Sequence, residues 1–100
     1  MKIDDIMSAA SALVSGDRRA AYGDPLEGFT RIAIFWNAHL HATGAAGPRP
    51  ITALDVAWMM LEVKHGRAYT GPHRDDNYID AAGFAGVAGE IASRLKSEAS

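Results

Sequence analysis

Apolar residues return every three to four positions along most of the chain, and the stripes they form predict four helices. Ile3, Ile6, Met7, Ala10, Leu13 and Val14 make the first stripe, and Gly16 follows it as a residue able to take a left-handed C-terminal turn. The second start is sharper. In DPLEGF, Asp24 stands as N-cap, Pro25 at the first helical position and Glu27 where its carboxylate can reach back to the cap. That helix carries Leu26, Phe29, Ile32, Ala33, Trp36 and Leu40 inward. The glycines and prolines of ATGAAGPRP end it and make a connection. Thr52 with Asp55 repeats the capping pattern and opens a third helix that runs to about Ala68 and buries Val56, Met59, Met60 and Val63. A fourth begins near Asp76 and enters the polar tail RLKSEAS, where residues 96–100 are expected to fray. No stretch alternates with period two over a useful length. The expectation is a single all-α domain over residues 1–100, an antiparallel four-helix bundle that self-associates, because 100 residues bury only a modest fraction of their surface.

Composition narrows the partners. Twelve acids against ten bases give a formal charge of -2 with no run of Lys or Arg, which argues against duplex nucleic acid. With no cysteine there are no disulfides, thiolate metal sites or thiol catalysis. No segment approaches the ~20 apolar residues of a membrane span, and MKIDDIMSAASALV carries Asp4 and Asp5 where an export signal would be basic. The expected location is the cytoplasm, without membrane association.

Candidate chemistry gathers where helix ends are expected to meet. If consecutive helices alternate in direction, the loops of residues 16–24 and 69–75 share one end, with Arg18, Arg19, Tyr22, Arg67, His73, Arg74, Asp75 and Asp76. At about 100° per residue, Asp76 and Asp80 continue the inward line of Gly83, Val87 and Ile91, while Arg67 extends that of Val56, Met60 and Val63. Two carboxylates at i and i+4 can approach one hard cation, and Mg²⁺ keeps positions for water and phosphate oxygens. Arg18, Arg19, Lys64 and Arg67 are then candidates for holding phosphate, and Tyr22, Trp36 and His73 for bordering the ligand. Plainer readings compete for each group. Asp55 reads more simply as a capping acid, Arg67 with Asp80 as a partly buried ion pair, Trp36 and the methionines as core, and His73 and Arg74 as solvated loop residues. The small residues Ala82, Gly83, Ala85, Gly86, Ala88 and Gly89 serve either close packing within the chain or an assembly surface.

Three strings in order carry a resemblance: LVSGDRRAAYGDPLEGFTRIAIFW, ITALDVAWMMLEVKHGR and GPHRDDNYIDAAGFAG. Together they resemble an uncharacterised family of small phage and prophage proteins with the segments SGDR, YGDP, a Trp-ended helix, D-V-A-x-M-M and H-x-D-D-x-x-x-D-A-A-G-[YF]. That family in turn looks like a distant relative of the all-α MazG-like nucleotide pyrophosphohydrolases, whose Mg²⁺-binding acids split a nucleoside triphosphate into monophosphate and pyrophosphate. The resemblance implies that Asp76 and Asp80 match the acidic pair of the last helix, as metal-binding and catalytic acids, and that Lys64 and Arg67 match its phosphate-facing bases. The second acidic pair of that group is missing. In its place helix two offers Glu27 and helix three offers Asp55 and Glu62, of which Glu62 is the remaining candidate metal ligand. The expected function is binding of a nucleotide or similar phosphate ligand, with Mg²⁺-dependent hydrolysis as its enzymatic form. The alternatives are a non-catalytic phage antagonist of host defence, which sequesters a nucleotide signal or binds a host protein, and a structural assembly module.

Overall fold

A computed structural model describes residues 1–99 and consists of helices joined by turns and loops. The helices are α1 (Ile3–Ser15), α2 (Asp17–Tyr22), α3 (Pro25–Thr43), α4 (Ala53–Ala68) and α5 (Asp75–Ala99). The all-α expectation holds, and four long helices pack together. The additional short helix α2 occupies the stretch expected to be a loop.

Gly16 explains how α1 and α2 follow each other with one residue between them. Its φ of -107° is not left-handed, contrary to the expected turn. A Cβ at this position would sit 2.7 Å from the Ala12 carbonyl oxygen, so the sharp change of direction requires glycine for space rather than for a positive φ. The other caps follow the pattern. Asp24 accepts from the Glu27 N–H with Pro25 in the first turn, although the Glu27 side chain itself lies exposed. Thr52 and Asp55 complete a reciprocal capping box. Gly44, with φ of 75°, closes α3 in the left-handed conformation.

The long helix α5 is the central element. It packs most extensively on α4 and then on α1, while α1 meets α5 and α2 rather than α4. Lys64 faces Asp80, and Ala53 and Ala57 share the core cluster with Ala88 and Ile91, so α4 and α5 run antiparallel. Helix α3 lies mainly against α4 and brings Leu26 and Phe29 to that cluster. The Asn37 side chain ties the α3–α4 connection by donating to the Ile51 carbonyl (2.9 Å) and accepting from its N–H (2.8 Å).

The buried core is built of small residues: Ala10, Ala33, Ala53, Ala57 and Ala88 with Val56, Val87 and Ile91. Several larger residues expected inside are exposed. Ile3 and Met7 on α1 and Met59 and Val63 on α4 face outward, Met60 is half-buried, and Trp36 is likewise only half-buried. Ile34, Phe35 and Trp58 add to the exposed apolar surface at 61%, 72% and 49% exposure. The cause is geometric: α1 and α4 do not meet and α3 lies mainly against α4 alone, so a stripe wider than the face in contact is left outside. The radius of gyration of 14.9 Å, against about 13 Å for a compact chain of this length, reflects the same openness. Helix α5 continues through residues 96–99. Arg94 on this part of α5 is held by Asp24, while Ser100 lies outside the described residues.

Candidate functional site

The start of α5 opens on a polar pocket of about 400 Å³, whose charged rim is Lys64 and Arg67 from α4, Arg74 from the preceding loop, and Asp76 and Asp80 from α5. The register of the antiparallel α4–α5 pair creates it. Residues 64 and 67 lie one turn apart on α4 and residues 76 and 80 one turn apart on α5, so four side chains from two helices reach one space.

Within it, Asp80 pairs with Lys64 at 3.1 Å, both side chains being about four-fifths covered at 19% and 20% exposure. The expected partner was Arg67. Lys64 lies one turn nearer the core, where the two helices are closest, and it takes the carboxylate, while Arg67 stays exposed on the pocket rim. Asp80 is thus inward as its place on the stripe required, but Asp76, one turn nearer the start of α5, is exposed on the pocket rim. Among the described residues, Arg67 and Arg74 make no ion pair with a carboxylate.

His73 and Asp75 brace the entrance to α5. The His73 Nε2 lies 2.8 Å from an Asp75 carboxylate oxygen, and the imidazole stacks on Tyr78 at 5.7 Å. The hydrogen bond from His73 holds the Asp75 carboxyl below its usual range. His73 therefore serves the local turn and does not line the pocket.

The loop-end convergence expected for residues 16–24 is not what the chain builds. Helix α2 lies against α1 and α3, and from it Arg19 reaches Glu90 at 3.0 Å while Asp24, the cap of α3, pairs with Arg94, both well beyond the first turns of α5. The Arg94 guanidinium keeps the Asp24 carboxyl below its usual range. Arg18, Arg19 and Tyr22 consequently border a different space, an apolar cavity of about 550 Å³ between α1–α2, α3 and α5. Arg18 lies over the Tyr22 ring, 5.8 Å from its centroid. Asp80 lines both the cavity and the polar pocket and stands between them. Trp36 and Glu62 line neither, and Glu62 is exposed. Among the described residues no group of three or more His, Asp or Glu side chains converges as a metal site, so Glu62 does not join Asp76 and Asp80.

Two contributors escaped the sequence reading as ligand groups. Arg74, by sequence a solvated loop residue, lines the pocket together with Thr70 and Pro72; its nearness to Asp76 is the available signal. Phe84, one residue after Gly83, faces Phe29 with ring centroids 6.4 Å apart and forms part of the apolar cavity.

The fold and pockets define an all-helical protein with a mixed-charge pocket beside an apolar cavity. Residues 5–92 match the family described as Domain of unknown function (DUF6378), and the chain belongs to that family. It is 34% identical over 82 residues to the Gene 55 protein of Mycobacterium phage L5, covering 82% of this chain and 49% of that protein. To the Gene 55 protein of Mycobacterium phage D29 it is 35% identical over 89 residues, covering 88% of this chain and 54% of that protein. The chain thus spans about half the length of these curated phage relatives. No solved structure matches it. Among the described residues no helix is long and apolar enough to cross a membrane.

Proposed function

We propose that this chain acts as a phage protein that binds a nucleotide or nucleotide-like phosphate ligand in the pocket at the start of α5. The observation that supports it is the guanidinium pair Arg67 and Arg74, without carboxylate partners among the described residues, beside Lys64 on a pocket of about 400 Å³. Arginine meets phosphate oxygens through two parallel N–H bonds, and an ammonium adds a point charge. Asp76 and Asp80 supply oxygen ligands through which a Mg²⁺ ion can join the phosphate to the protein, with water in its other positions. In the enzymatic form of this reading, of MazG-like type, Asp76 and Asp80 would hold a Mg²⁺ ion, which would supply activation of a water for cleavage of the α–β phosphoanhydride bond, and Lys64 and Arg67 would neutralise the pyrophosphate that leaves. Two acids suffice to anchor a cation but leave few groups to activate water, so binding is the main proposal and hydrolysis the extension.

Calorimetric titration with nucleoside triphosphates, with and without Mg²⁺, tests it. Binding that weakens about tenfold in Arg67→Gln and in Arg74→Gln is expected for lost charge-assisted bonds. No heat with any triphosphate, in either condition, would remove the reading. Absence of released pyrophosphate, alongside retained binding, would remove only the hydrolytic form.

A second reading rests on the exposed Ile34, Phe35, Trp58 and Val63, which suit a protein interface more than a free surface. It makes the chain a non-catalytic antagonist of host defence or an assembly module, self-association being the first expectation for a small core with large apolar residues outside. A concentration-independent monomer in sedimentation, and no host protein retained by the purified chain, would dismiss it.

A further inference from the structure

The apolar cavity between α1–α2, α3 and α5 holds a feature that core packing does not explain. Gly28 lies within α3 and is half-buried on the cavity wall, yet a Cβ built there meets nothing within 4 Å. Of the other helical glycines, Gly83 is buried with its added Cβ 3.0 Å from Val14, and Gly66, Gly86 and Gly89 face solvent. Glycine inside a helix is less stable than alanine by about 1 kcal/mol, and at position 28 no neighbour demands it. What glycine provides at this position is open volume.

The walls of that volume are apolar rings and aliphatic groups: Phe29, Phe84, Leu13, Val14 and Met60. The charges at its edge are not balanced. Asp24, Asp80 and Arg19 are engaged with Arg94, Lys64 and Glu90. Arg18, stacked on Tyr22, and Arg31 make no ion pair among the described residues. Two cations thus stand at the edge of an apolar space whose acids are already neutralised.

We propose that this cavity is a second binding site, for a small organic anion with a flat apolar or aromatic body, the body lying against the Phe29–Phe84 pair and the anionic group meeting Arg18 and Arg31. A cavity of about 550 Å³ is within the ordinary range for small-molecule sites, which are mostly apolar with a few placed polar groups. The site stands independently of phosphate binding at the start of α5, since it uses different cations and a phosphate-free probe can test it.

The probe is anilinonaphthalene sulfonate, an aromatic anion that fluoresces when shielded from water, with neutral phenylnaphthylamine as its uncharged counterpart. Saturable sulfonate binding is expected, weakened about tenfold or more in Gly28→Leu, whose side chain fills the cavity. The double change Arg18→Gln with Arg31→Gln should weaken the sulfonate and leave the neutral probe unaffected. A Gly28→Leu protein that is helical, melts no lower than wild type and binds the sulfonate undiminished would overturn the proposal, as would equal sulfonate binding by the double arginine variant. Should Gly28→Leu not fold, methyl resonances of Val14 and Met60 decide in the wild type: they shift on titration if the cavity is occupied. Shifts confined to Ile34 and Val63, on the exposed faces, would also overturn it.

Discussion

The Asp80 carboxylate lies 3.1 Å from the Lys64 ammonium, and this pair stands where the polar pocket and the apolar cavity adjoin. Both side chains are about four-fifths covered, so the pair falls between a surface ion pair and a buried one. Asp80→Ala is expected to lower stability by about 1–2 kcal/mol and Lys64→Met by a similar amount. A double-mutant cycle in urea should show that the two losses are not additive. Additive losses would mean that the groups do not act as a pair.

Ile91 is fully buried among alanines, and truncation leaves a space that small, stiff neighbours cannot close. Ile91→Ala should cost about 3 kcal/mol, read from the urea midpoint at constant slope. A loss below about 1 kcal/mol would show that α4 and α5 can collapse together.

Two glycines should respond oppositely to the same change. Gly83→Leu drives a side chain into Val14 at the α1–α5 contact, and about 1–3 kcal/mol of overpacking is expected. Gly28→Leu meets open space and should melt at or above the wild-type temperature. Parallel thermal melts followed by helical circular dichroism compare them directly.

Acid should weaken the protein through its paired carboxylates. Bidentate hydrogen bonding from Arg49, at 2.7 and 2.9 Å, holds the Asp55 carboxyl far below its ordinary value of 3.8, with further support from Thr52. A folded-state pKa that is lowered gives stability present above the unfolded value and lost as pH falls toward the folded one. Melting temperature should therefore fall below about pH 4. Asp55→Asn should start lower at neutral pH and decline less, the two curves converging in acid. Parallel curves would assign the acid sensitivity to other carboxylates.

The caps were legible from sequence because they are local. Thr52 with Asp55 and Asp24 with Pro25 act within one turn, and any helix starting there would use them in the same way. Asp80 could be placed inward because its angle follows from the stripe of Gly83, Val87 and Ile91, all buried. Its partner could not. Lys64 and Arg67 are both within reach by sequence, and only the interhelical distance along α4 and α5 selects Lys64.

Sequence by itself determined the helical class, the starts of α3, α4 and α5 and the inward line of α5, since these depend on periodicity and on groups a few residues apart. Tertiary structure decided that Arg19 and Asp24 reach Glu90 and Arg94, which set Arg18 and Arg19 on the apolar cavity and not on the polar pocket at the start of α5. It also decided that Met7, Met59 and Val63 remain outside. The physical reason is the same for both. A hydrophobic stripe states which residues favour burial, but helix directions and the number of available neighbours set which of them are covered.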